Sequence, residues 1–286
     1  MREICNELDM PEEITERLVY HINTIDPGLY QPYIAGLFSL ETGEQAASKI
    51  LEAVKTEQDP TGDMGLKSMA VYLEAAKHTR EIYAQLGIDD TIYINSLKAF
   101  SRFVREHKVT FGRYGFNRPY RIFRYLSVRI FRLRSLEFEM RHIPSDVQLI
   151  DDVLPGSPVL IVHIPSDAII TRDALDASYS MARSFFAKHF PDYRYQCVYT
   201  ISWMLSPLLK DVLDPDSRIL DFQTDFEITH VDLESNSGMI WIFKRNYEDY
   251  SKLQEDTSLM RKMKQILLEG GKIGHATGYI KDFENR

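Results

Sequence analysis

Apolar residues recur every three to four positions through most of the first hundred residues, the spacing that gathers them on one face of a helix. In MPEEITERLVYHIN (10–23) Pro11 stands at a first helical position, and Glu12 and Glu13 fill the first turn. TGEQAASKILEAVK (42–55) places Ala46, Ala47, Ile50, Leu51 and Val54 on one stripe. MGLKSMAVYLEAAKHTREIYAQLG (64–87) extends the period and ends at Gly87, a helix-stopping glycine. Asp89 or Asp90 then caps TIYINSLKAFSRFVREHK (91–108). Nothing in this part reads as a strand.

The pattern changes near residue 110. Gly112, Gly115 and Pro119 punctuate a linker, and a short helix is predicted from Arg118. SLEFEMRHI (135–143) alternates, with Leu136, Phe138 and Met140 on one face and Glu137, Glu139 and Arg141 on the other. That reads as a half-buried strand with a solvated acidic face. SPVLIVHI (157–164) is unbroken and apolar, as a strand buried on both faces is. A helix over 172–189 follows, with Thr171 as N-cap and an apolar face of Leu175, Ser178, Ala182 and Phe185. YQCVYTISWML (195–205) predicts a strand, SPLLKDVL (206–213) a short helix, and ILDFQTDFEITHVDL (219–233) a long strand. The turn ESNSG joins that strand to MIWIFKR (239–245) as a hairpin, and the helix TSLMRKMKQILLEGG (257–271) closes the chain. The expected fold is α/β (α+β): an all-helical domain over 1–114, then a domain over 115–286 with a mixed, twisted sheet.

The 286 residues are 44% hydrophobic and 27% charged, an ordinary balance for a globular protein. No apolar run approaches the ~18 residues that span a bilayer, and the first residues hold no apolar export segment. Cys5 and Cys197 have no CxxC partner and no nearby histidine at ligand spacing, so no metal site is expected and a reducing cytoplasm is. The net charge of −8 is uneven. Residues 101–141 carry ten Arg and one Lys against Glu106, Glu137 and Glu139, or 11 − 3 = +8, which leaves −16 for the rest. Arg118, Arg121, Arg124 and Arg132, with Tyr120, Phe123 and Tyr125 among them, could form an anion- or nucleic-acid-binding surface. Their interleaving with apolar residues favours a half-buried, internally paired segment. The acidic remainder would repel a long polyanion, so no nucleic acid is expected.

The strand-to-helix turn after Val162 is where α/β proteins often hold an anion, on free amides at a helix start. Residues 163–172 contain no glycine, however, and Asp167 adds a negative charge. Ser178 interrupts an apolar helix face, and a structural role, bonding back to the preceding turn or admitting close sheet packing, is favoured over catalysis.

Several segments taken together resemble a bacterial family of GNAT-like N-acyltransferases. They are His163-Ile164-Pro165, Ser178 in the following helix, Phe185-Phe186, Ser202-Trp203-Met204-Leu205, and Ser217-Arg218-Ile219-Leu220-Asp221-Phe222, preceded by FRLRSLEFE. Met204 and Arg218 depart from the family's pattern, and the glycine-bearing phosphate loop of well-studied members is absent. The resemblance implies a GNAT-type sheet with two splayed strands, and acetyl-CoA or another acyl-CoA as cofactor. It places the cofactor on His163, Ile164, Pro165, Ser166, Asp167, Thr171 and Arg172, and the acceptor would be a small-molecule or peptide amine. Acyl transfer needs a base and an acid near the thioester, and the candidates are Glu139, Tyr199 and Ser202. His163 as base and Cys197 as nucleophile are less favoured, since mid-strand cysteines are usually inert. The alternatives are a degenerate GNAT-like protein that binds a ligand without turnover, and the Arg-rich anion binder.

Overall fold

A computed structural model describes residues 1–55, 64–144, 153–245, 247–280 and 283–285. The chain forms two compact units, Met1–Arg132 and Leu133–Arg286. The Gly112–Pro119 segment therefore lies inside the first unit. The reason is the short helix predicted after it: α8 (Pro119–Leu126) packs on α4 (Gly43–Val54) and α5 (Leu66–Gln85), and so belongs to the helical body.

The first unit is helical, as its periodicity predicts. Its other helices are α1 (Arg2–Glu7), α2 (Glu12–Thr24), α3 (Gln31–Ile34), α6 (Asp90–Leu97) and α7 (Ala99–Phe111). Pro11 occupies the N-cap of α2, and Asp89 caps α6 by accepting the Thr91 N–H at 2.7 Å. The expected helix over 91–108 is broken at Lys98 into α6 and α7. Tyr72, Tyr83, Tyr93 and Phe100 are fully buried, each burial contributing roughly 1.5–3 kcal/mol. The hydroxyls are satisfied where backbone carbonyls come within reach: Tyr72 donates to Ala47 O at 2.8 Å and Tyr93 to Ala76 O at 3.0 Å.

The second unit is built on a six-stranded sheet of order β1-β2-β3-β4-β6-β5. The strands are β1 (Ile130–Leu133), β2 (Leu136–His142), β3 (Pro158–His163), β4 (Val198–Ser202), β5 (Phe226–Asp232) and β6 (His275–Ile280). β2 pairs antiparallel with β3, and β6 antiparallel with both β4 and β5. β3 and β4 are parallel and are joined through α9 (Arg172–His189), the crossover a parallel pair requires. Leu175, Ser178, Tyr179, Ala182, Phe185 and Phe186 form the buried face of α9, matching the face read from its periodicity.

Four expectations for this unit are corrected. The acidic face of β2 is not solvated: Glu137 and Glu139 are both buried. Alternation shows that a strand has two faces but not which is wet. The long strand expected over 219–233 is α10 (Arg218–Gln223) followed by β5, because Ser217 accepts the Ile219 N–H and caps a helix there. MIWIFKR is not a strand and there is no ESNSG hairpin. Residues 239–242 form α11 (Met239–Ile242), whose Met239 and Ile242 join Leu209, Met263 and Leu267 in a separate core. Finally, α12 (Ser258–Leu268) does not close the chain, since β6 follows it and fills the sheet between β4 and β5.

Candidate active site

β3 and β4 pair only at Leu160↔Val198 and Ile161↔Tyr199. Beyond that point each strand continues, but paired on its outer side alone. Val162 and His163 stay with Phe138 and Glu137 of β2, while Thr200, Ile201 and Ser202 stay with Gly278, Thr277 and Ala276 of β6. The sheet thus opens in its middle, leaving facing strand edges whose backbone groups are not taken up by each other. A gap of this kind admits an extended ligand.

Register decides which side chains meet at the gap. Side chains alternate between faces, and the pairs Glu139↔Ile161 and Ile161↔Tyr199 put Glu139, Ile161 and Tyr199 on one face, with His163 and Ile201 further along it. There the Glu139 carboxylate, fully buried, lies 2.7 Å from His163 Nε2 and 3.2 Å from Arg141 Nη1. With a carboxylate facing it, Nε2 is placed to donate to Glu139. His163 retains 21% side-chain exposure. Tyr199 is buried, and burial pushes its phenol up to about 12, with Arg141 opposing and Cys197 and Glu139 adding to the rise. Its hydroxyl therefore stays protonated at neutral pH.

Ser202 falls on the opposite face, where its hydroxyl accepts the Met204 N–H at 3.1 Å and caps a 3-10 turn. It does not join Glu139 and Tyr199. Cys197 is half-buried, and burial pushes its thiol up to about 12, which leaves it un-ionised and a poor nucleophile.

The turn Ile164–Thr171 leads from the gap into α9. Thr171 stands at the N-cap without making a side-chain bond to the helix. Arg172 is engaged elsewhere: it forms two hydrogen bonds to Asp225, at 2.9 and 2.7 Å, and Tyr179 donates to the same carboxylate at 3.0 Å. Asp176 and Asp221 approach its guanidinium at 3.3 and 3.9 Å. Ser178 has the structural role its position suggested, donating to Ala174 O at 2.8 Å and accepting the Ser135 N–H at 2.9 Å.

Two arginines of the basic segment show how it is held internally. Arg102 is buried over the Phe103 ring, and Arg118 pairs with Glu106 at 3.1 Å while stacking on the same ring. Among the described residues no group of His, Cys, Asp and Glu could hold a metal ion, and no helix is long and apolar enough to cross a membrane.

A model of the GNAT-like C-terminal domain matches residues 130–280, and a model of the N-acyltransferase N-terminal domain matches residues 1–125. The chain belongs to the GNAT-like N-acyltransferase family. Solved structures share the fold of this GNAT-like protein over 98% of its length and 87% of theirs. One is an acyltransferase in complex with decanoyl-CoA and teicoplanin, at 24% identity and a TM-score of 0.76. A second is an acyltransferase mutant in complex with octanoyl-CoA, at 24% and 0.77, and a third an acyltransferase with CoA and 10C-teicoplanin, at 23% and 0.76. No curated protein is a significant match.

The sequence located β3, β4 and the turn before α9, and it offered His163 as a cofactor contact and Glu139 as a catalytic group without joining them. The two lie 24 residues apart and meet through strand register, which no local pattern reports.

Proposed function

We propose that the protein transfers an acyl group from acyl-coenzyme A to a primary amine. The observation that carries this reading is the Glu139–His163 pair at the mouth of the β3–β4 gap, on a sheet whose family is that of N-acyltransferases. The CoA and acyl-CoA complexes of the structural neighbours support the same donor.

The residues present fit such a donor in two respects. The opened strands offer an extended slot, and the uncapped start of α9 offers backbone amides to a diphosphate. In place of glycines and free cations, the chain supplies His163, Ile164, Pro165, Ser166, Asp167, Thr171 and Arg172 around that slot, Arg172 acting mainly to fix α9 through Asp225. Bound acyl-CoA supplies a thioester carbonyl open to attack. His163 Nδ1 takes the proton of the attacking amine as the N–C bond forms. Glu139 holds the imidazole in the needed tautomer and stabilises its charge. Tyr199 supplies a proton to the departing sulfur as the C–S bond breaks, while Ser202, on the opposite face at the end of β4, caps the turn that follows. The acceptor is a small-molecule or peptide amine. Two free thiols support the reading of a reducing compartment such as the cytoplasm.

The test is a thiol-release assay with acyl-CoA donors of several chain lengths against a panel of primary amines. Turnover that disappears in His163→Ala supports the reading. Donor binding without turnover on any amine would favour a ligand-binding relative that has lost catalysis, and no donor binding would reject the reading outright.

A further inference from the structure

Alternation along β2 puts Arg141 on the same face as Glu139, one position further on. The two oxygens of the fully buried Glu139 are divided between two partners. Oε2 lies 2.7 Å from His163 Nε2, and Oε1 accepts an N–H of Arg141 at 3.2 Å. The division matters because the last torsion of a glutamate is broad and roughly two-fold. A guanidinium on Oε1 fixes the plane of the carboxylate and so directs Oε2 at the imidazole.

The two partners behave differently in the reaction proposed above. His163 starts neutral and becomes positive as it takes the amine proton, whereas Arg141 is positive throughout. A buried carboxylate keeps its charge only where it is paired and hydrogen-bonded. Arg141 sets a full positive charge against Glu139 before His163 takes up a proton as well as after. Arg141 is itself well placed to stay there. Its register partner on β3 is Val159, and the Tyr193 phenol spans that rung, reaching Arg141 O at 2.5 Å and Val159 O at 2.9 Å. The backbone is thereby fixed on both strands, although the side chain above it is 36% exposed.

We infer that Arg141 is the positioning residue of the Glu139–His163 pair, turning the carboxylate toward the imidazole and keeping it ionised there. The inference rests on the acyl-transfer reading above. It adds to that reading a residue that acts through Glu139.

Steady-state thiol-release kinetics of the full chain test it, with acetyl-CoA and an amine that the wild type accepts. The variants are Arg141→Gln, Arg141→Lys, Arg141→Ala, Glu139→Gln and the double variant Arg141→Gln/Glu139→Gln. Arg141→Gln should lower kcat about tenfold to a hundredfold, with both KM values within about twofold of wild type. Arg141→Lys keeps the charge and should hold kcat within about fivefold of wild type. In the Glu139→Gln background, Arg141→Gln should lower kcat by no more than about a further twofold, since residues that act as a unit are not additive. Millimolar guanidinium chloride should restore part of the kcat of Arg141→Ala and none of that of Glu139→Gln, with sodium chloride as the ionic-strength control. A residue of the fold alone would lower Tm in the variants without giving this pattern.

An unchanged kcat in Arg141→Gln would overturn the inference. So would losses that multiply in the double variant, or a raised KM at constant kcat, which would make Arg141 a substrate contact. Should Arg141→Gln fail to fold, Arg141→Lys carries the test, and a folded lysine variant as slow as Glu139→Gln would overturn the inference. A wild type without turnover on any amine would overturn the acyl-transfer reading and this inference with it, whereas equal turnover by wild type and Arg141→Gln would overturn this inference only.

Discussion

Among the carboxylates buried in the second unit, Glu139 and Asp225 are each met by a cationic partner, Arg141 and Arg172. Asp225 receives a two-pronged guanidinium from Arg172 and a hydroxyl from Tyr179. Both of its oxygens are occupied, and the pairing raises the Arg172 pKa further still. Glu139 is met by Arg141 and by the His163 imidazole, whose two ring nitrogens let it accept a proton as well as donate one. The first arrangement is a rivet, and the second sets the acid beside the base proposed above. What separates them is the identity of the partner, not the burial of the acid.

The largest effect expected from this contrast is on turnover. His163→Ala should lower kcat about 10²–10⁴-fold, the range for a lost general base, with donor affinity by calorimetry changed far less. Glu139→Gln should follow it in direction, by about tenfold to a hundredfold, because the amide can no longer stabilise the imidazolium. If Glu139→Gln kept full kcat, the two carboxylates would be alike and the contrast would fail. Asp225→Ala should act on stability instead. Breaking a buried pair costs about 3–5 kcal/mol; because Arg172 is 37% exposed, a loss of about 2 kcal/mol is expected, read as a lowered midpoint in urea. Tyr199→Phe should reduce kcat severalfold. With the wild-type phenol up at about 12, the rate–pH profile should show no falling limb from Tyr199 below pH 10. The smallest effect belongs to Cys197, whose thiol is also up at about 12 through burial alone. A thiol reagent at pH 8 should leave it unmodified in the folded protein and label it in denaturant.

The helical first unit was legible because its signal is local: each helix shows its period within its own residues, as α5 does from Leu66 to Gln85. The central strand β3 and helix α9 were legible for the same reason. β6 was not. HATGYI has weak strand propensity, and it is held as a strand by neighbours on both sides, β4 and β5. Gly278 shows the constraint: a Cβ there would come within 3.0 Å of Leu205 and 3.1 Å of Ile228 and Phe226, so packing demands the residue that strand propensity disfavours. Residues 239–242 failed in the opposite direction, since four consecutive apolar residues fit a strand or a buried helical turn equally well. The site was half legible. The turn could be located by order along the chain, but the Glu139–His163 contact depends on β2 pairing with β3 in one register; a slip by a single residue would send Glu139 to the other face.

The position of β6 has a consequence for how the protein is made. On the ribosome β4 and β5 emerge well before the strand that joins them, and a chain complete only as far as α12 carries both with their shared neighbour missing. Each then presents an open edge to any other nascent copy. Synthesis must run another dozen residues or so before those edges close, which makes this interval the one in which a chaperone would matter most.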